Sequence, residues 1–384
     1  MPHEEKSDLG NCYGVLAAYA GTSAFPLSYL NNNWTNLGQW QMQARAKVLE
    51  LLRYDPAAAP LDPAVTSTRK RGPCTEETIE FTASEGVRVH GTVLSPGGGG
   101  PYPAVIALHD HGGFYYFGRE KVMDSDNEPK LLTRFKHDHY GGRSWANELA
   151  ALGFVVLCID SFYFGTRKLD PALVSDGMRR RCPVDPLAHA PGTEPYIKAC
   201  NAFCGWMENI TVRHIHCSGA TWPGMLFYDD RKAVDYLLTR PDVDVNRVGC
   251  CGLSIGGYRS IHLAALDTRI KCAVAAGWMT TMGSLLFDHL HDHTHMVYIP
   301  GLHRFMDLPD VAGLAAPRSL FVQQCEQDML FTVPGMTNAC RKLEQIYEKA
   351  GCPHRFRSRF YPNGHAFTIP MQQDAFSYLR EYLQ

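Results

Sequence analysis

Apolar and polar positions change period several times along the chain, and each change marks an element. From Leu37 to Arg53, LGQWQMQARAKVLELLR repeats its apolar residues at helical spacing with charges opposite, which predicts an amphipathic helix. After the proline-rich AAAPLDPAV, the stretch ETIEFTASEGVRVHGTVLSP alternates in twos around Glu85-Gly86 and predicts a β-hairpin. AVIALHD (104–110) and FVVLCID (154–160) are short apolar runs bounded by turn residues, as buried parallel strands require. GRSWANELAALG lies between them and reads as a crossover helix that stops at Gly153.

The alternation continues to the C-terminus. DDRKAVDYLLTRPDV is helical, RVGCCGL a strand, YRSIHLAAL a helix, IKCAVAAG and SLFVQQC strands, CRKLEQIYEKAG a helix, HRFRSRFYP a strand and MQQDAFSYLREYL a closing helix. Strands alternating with helices imply an α/β fold with a mostly parallel sheet covered on both faces. Two stretches break the rhythm: residues 161–224, whose YIKACNAFCGWMENITVRHIH is only weakly helical in pattern, and the histidine-rich 279–315. Insertions of that length usually shape a pocket.

Composition narrows the class. With 45% hydrophobic and 20% charged residues the chain can bury a substantial core. Its 37 basic and 39 acidic side chains leave a formal charge of −2, so no global field favours nucleic acid or an anionic membrane. The N-terminal MPHEEKSDLGNCYGVLAAYAG lacks the continuous apolar core of a leader, and no apolar run is long enough to span a bilayer. Thirteen cysteines, scattered and often inside apolar strands, read as reduced thiols of a cytoplasmic protein. A small, near-neutral substrate fits this balance; the oligomeric state stays open, a homo-oligomer included.

Candidate chemistry centres on Gly252-Leu253-Ser254-Ile255-Gly256, between a predicted strand and a predicted helix. The glycine-x-serine-x-glycine spacing suits a sharp turn that exposes a strained nucleophile while flanking glycines avoid the neighbouring strand. A serine hydroxyl needs a base and a carboxylate that orients the base. Asp328, in EQDMLF after a strand, is the candidate acid, with Glu326 its rival; His365, in YPNGHAF after the last strand, is the candidate base. Two backbone donors for an oxyanion are expected from Ile255, directly after the serine, and from His111 in HDHGGF, with Gly112 second.

GLSIGG, LHDHGG, EQDMLF and NGHAF together resemble the α/β-hydrolase superfamily, in its dienelactone hydrolase and prolyl-oligopeptidase-type branch. APRSLFVQQCEQDMLF followed by YPNGHAF is most similar to bacterial acetyl xylan esterase-like hydrolases. The resemblance implies an α/β-hydrolase domain over residues 77–384, with a helical N-terminal extension over 1–76 and a lid-like insertion near 165–224. It also implies a serine-dependent acyl-enzyme mechanism on Ser254, Asp328 and His365, acting on a small ester, carbohydrate esters among them, without a cofactor. Dienelactone hydrolases proper use cysteine where this chain has Ser254. A peptidase of prolyl-oligopeptidase type and a noncatalytic binding protein of the same fold are the rival readings.

Other candidates are weaker. His289, His291, His293 and His295 lack the helical pair and general-base glutamate of a zinc site, so no metal is expected there. Cys200 and Cys204 share a helix face without a second pair. Gly112, Phe114 and Trp278 are candidate substrate contacts, and the aromatic groups at 114–117 and 162–164 are candidate gorge walls.

Overall fold

The structure, a computed structural model, describes residues 7–384; the first six, part of the stretch read for a leader, lie outside it. Nine strands form one sheet in the order β1-β2-β3-β5-β4-β6-β7-β8-β9. They are β1 (Ala64–Arg71), β2 (Cys74–Ser84), β3 (Val87–Pro96), β4 (Tyr102–Leu108), β5 (Val155–Ile159), β6 (Val243–Leu253), β7 (Ile270–Ala276), β8 (Ser319–Cys325) and β9 (Phe356–Tyr361). β1 to β3 meander antiparallel and β3 pairs antiparallel with β5; every pair from β5 to β9 is parallel. The expected parallel sheet and the hairpin at Glu85-Gly86 are both present.

The helices are α1 (Tyr13–Gly21), α2 (Leu37–Leu52), α3 (Lys130–Tyr140), α4 (Trp145–Ala151), α5 (Asp176–Arg179), α6 (Glu194–Cys217), α7 (Trp222–Leu237), α8 (Ile255–Leu266), α9 (Leu308–Gly313), α10 (Val333–Lys349) and α11 (Ile369–Leu383). Alternate residues of each central strand feed opposite layers. Ala104, Ile106 and Leu108 join the core shared with α2, α7, α8, α9 and α10, whereas Val105 and Ala107 join the layer under α4 and α11. Both faces of the central strands are therefore dry, which is why β4 and β5 read as unbroken apolar runs.

Three features differ from the sequence reading. β1 lies inside the residues read as a helical extension; its six central positions are all solvent-exposed, so AVTSTRKR carries no burial pattern to announce it. Its charges instead pair along the sheet edge, Arg71 Nε standing 2.7 Å from Glu76 Oε2 on β2. α2 is no appendage either: Trp40, Ala44 and Val48 are buried in the main core, and Arg45 donates to the carbonyls of Ala265 and Leu314. Finally, the weakly patterned insertion holds α6, a 24-residue helix capped by the Thr193 hydroxyl. No helix among the described residues is long and apolar enough to cross a membrane.

Candidate active site

The parallel strands β4, β6, β8 and β9 end at the same edge of the sheet, and each sends one candidate group into the loop that follows it. Ser254 caps α8 directly after β6 with φ 59° and ψ −123°, a strained backbone for a residue with a side chain. Its amide donates to Ala276 O at 2.9 Å and its carbonyl accepts from Tyr258 at 2.9 Å, so the turn is held from both sides. The flanking glycines are required by space. A Cβ on Gly256 would stand 2.0 Å from Leu108 O, and one on Gly252 would stand 2.4 Å from the same atom. Stripping those side chains lets β4 approach the serine.

His365 lies between β9 and α11. The loop is tied down by Glu326 N donating to Tyr361 O (2.9 Å), Gln327 N to Asn363 O (3.1 Å) and Phe367 N to His139 O (2.8 Å). His365 Nδ1 is 2.6 Å from Asp328 Oδ2, and Asp328 Oδ1 accepts from Leu330 N at 3.0 Å. The Asp328 side chain is fully buried, and Glu326, the rival acid, is exposed. A carboxylate at Nδ1 fixes the proton there and leaves the Nε2 lone pair free. The ring stands over Gly277, where a Cβ would lie 3.5 Å from His365 Cε1 and 3.0 Å from Leu253 Cδ1. Gly277 immediately follows Ala276, the residue bound by the Ser254 amide; imidazole and serine thus share one corner of the site.

The third loop, after β4, presents amides. Among the described residues, neither the amide of His111, nor that of Gly112, nor that of Ile255 has a hydrogen-bond partner. A Cβ on Gly112, whose φ is 54°, would collide with the Asp110 carboxylate and the Phe135 ring at 2.5 Å. Two residues unremarked in the sequence organise this turn. Lys121 is completely buried, and its Nζ donates to Asp110 O (2.8 Å) and His111 O (2.9 Å). Glu208, on α6, accepts from His111 Nε2 (2.8 Å), Tyr115 Oη (2.8 Å) and Thr294 Oγ1 (3.1 Å). Burial opposes ionisation of Glu208, but these hydrogen bonds prevail and hold its carboxyl below the usual range.

The remaining candidates separate. Trp278 is buried, its ring meeting Tyr258, His293 and Phe331 edge to face. Phe114 packs with Phe117 and Phe135 beside Leu132 and Ile197; it supports the turn from behind. Tyr115 and Phe164 stack at 5.3 Å, so the two aromatic groups meet as packing. The four histidines diverge: His289 sits beside Asp288, His291 pairs with Asp8, His293 with Leu330 O and His295 with Asn209. Cys251, three residues before Ser254, is buried within β6, and burial pushes its thiol well up. Glu208, Asn209, Leu290, His293, His295 and Tyr298 line a cleft of about 510 Å³ next to the amide-bearing turn.

Known proteins share this architecture. Residues 227–302, which include Ser254, match the family described as the C-terminal domain of BAAT / acyl-CoA thioester hydrolases. The "Putative hydrolase YtaP" of Bacillus subtilis is 26% identical over 285 residues, covering 74% of this chain and 80% of that protein. Among solved structures, a "putative acetyl xylan esterase" from Bacteroides fragilis superposes with TM-score 0.69 at 17% identity, covering 97% of this chain and 90% of that one. A glucuronoyl esterase from Solibacter usitatus gives TM-score 0.58 at 18% identity, covering 90% and 94%. At such identities the likeness is one of fold, and the fold is that of the α/β-hydrolases.

Proposed function

On the premise of that α/β-hydrolase fold, we propose that this chain is a carboxylic ester hydrolase working through an acyl-enzyme on Ser254. The observation that carries the reading is the 2.6 Å pair of His365 Nδ1 and Asp328 Oδ2, with the imidazole standing over the glycine beside the strained serine. His365 Nε2 takes the proton as Ser254 Oγ attacks the ester carbonyl. Asp328 holds the tautomer and stabilises the imidazolium, and the amides of Ile255 and His111 receive the negative charge on the carbonyl oxygen. His365 then protonates the departing alcohol and activates water, which frees the acid and restores the serine.

The cleft beside the turn supports a hydroxylated alcohol, such as a sugar, as the leaving group. Its lining sets carboxylate, carboxamide and imidazole groups among the Leu290 and Tyr298 side chains, a mixed surface that suits a ring with both hydroxyl and C–H faces. The printed names of three relatives, one a hydrolase and two esterases, agree with ester hydrolysis. All thirteen cysteines are free and eleven of them buried, which supports a reducing compartment, the cytoplasm. Turnover of p-nitrophenyl acetate that drops at least a thousandfold in Ser254→Ala is the expected result. A panel of acyl lengths, acetylated xylo-oligosaccharides and dipeptide amides assigns the substrate class. Undiminished turnover in Ser254→Ala would refute the proposal.

A further inference from the structure

An ammonium group without solvent contact costs several kcal/mol unless it is well used, and Lys121 has none. Its surroundings are specific. Nζ donates to the main-chain carbonyls of Asp110 and His111 and lies 4.5 Å from the centre of the Phe164 ring. Asp110 is buried below the same turn, with its carboxylate taken by the Tyr140 hydroxyl, and His109 Nδ1 stands 2.9 Å from Asp110 O. Burial pushes the Lys121 ammonium down to about 8, against the pull of Asp110, Glu120 and Asp160.

The two carbonyls belong to the peptides that also carry the amides of His111 and Gly112. In a trans peptide the N–H points opposite to the C=O. A cation that draws both carbonyls into the protein therefore turns both amides away from itself, and these are amides with no partner among the described residues. Resting on the catalytic reading above, we propose that Lys121 is the positioning residue of the oxyanion-binding turn, presetting the His111 and Gly112 amides through their carbonyl partners. Preset donors need no reorganisation as charge develops, which is where such sites gain their rate. Lys121 itself touches no reacting atom.

The test compares wild type with Lys121→Met, which fills the same buried space with an apolar chain of similar length, and with Lys121→Met/Asp110→Asn, which also removes the carboxylate left uncompensated. A fluorophosphonate titration counts folded sites, so rates refer to competent enzyme. Per site, kcat on p-nitrophenyl acetate is expected to fall on the order of 10²-fold with KM within about threefold. The Ki of a trifluoromethyl ketone, which places an oxyanion in the site, should weaken by the same factor as kcat/KM, because both report binding of that charge. Unchanged kcat and Ki per site, or variants that do not fold in either form, would overturn the proposal and leave Lys121 a stabilising residue. Ser254→Ala in parallel keeps the cases apart: retained turnover there refutes the catalytic reading itself, whereas its loss beside a fully active Lys121→Met refutes only the role of Lys121.

Discussion

Glu208 joins three segments that are remote in the chain, so its removal tests whether the insertion is a fixed wall of the site. In Glu208→Ala, His111 Nε2, Tyr115 Oη and Thr294 Oγ1 lose one shared acceptor. A hydrogen bond to a charged group contributes about 1.5 to 3 kcal/mol. Thr294, half-buried, recovers part of its loss from water, but the buried Tyr115 does not. The expected destabilisation is about 4 kcal/mol. At about 2.1 cal/mol/K per residue, a chain of 384 residues unfolds with an entropy near 0.8 kcal/mol/K, so Tm should fall by about 5 °C. Glu208→Gln keeps one oxygen for both His111 and Tyr115, which share Oε1, and turns its amide to the Thr294 hydroxyl, so about 2 °C is expected. Because the folded carboxyl is held below its usual range, its contribution is present above the unfolded value of about 4.3 and is lost as pH falls through the lower folded value. The Tm gap between wild type and Glu208→Gln should therefore narrow as pH falls below about 4.3. Differential scanning calorimetry at pH 7 and pH 3.5 decides it. A Glu208→Ala protein melting within 1 °C of wild type at pH 7 would show that the carboxylate does not brace the turn.

Three other outcomes follow from the same geometry. Asp328→Asn presents an amide to His365 Nδ1 in a fully buried position, which allows the wrong tautomer; kcat on p-nitrophenyl acetate should drop about 10³- to 10⁴-fold while KM holds. Gly256→Ala drives a methyl to 2.0 Å from Leu108 O, whereas Gly99→Ala meets nothing within 4 Å. The first should cost about 3 kcal/mol or more in urea melts and the second nothing beyond about 0.5. Iodoacetamide under native conditions should label Cys12 and Cys217, the two exposed thiols, and spare Cys251 without loss of activity; peptide mass mapping reads the pattern.

The alternation of strands and helices was legible because both faces of the central strands are buried, so local apolar runs already carry the fold. The triad candidates were legible for a related reason: each follows a strand end, and Gly252 and Gly256 are glycines because Leu108 O occupies the space of a side chain. β1 was not, since an exposed edge strand pairs through its backbone and leaves its side chains polar. Lys121 and Glu208 were not legible either. In the sequence one is a charged residue in GREK and the other a glutamate on a polar-faced helix. Their meaning arises from partners such as Phe164, Tyr115 and Thr294, which only the folded chain brings near. Phe114, a loop aromatic next to the amide turn that suggested a ligand wall, packs in a cluster with Leu132 and Ile197, neighbours the sequence alone does not place beside it.

The most direct test of the account is to incubate the protein with a fluorophosphonate and locate the adduct by tandem mass spectrometry. One phosphonyl group per chain, on the peptide bearing Ser254, appearing in step with loss of ester turnover and slowed strongly by His365→Ala, is the result the account predicts. Labelling of another residue, or full turnover by a protein modified at Ser254, would contradict it.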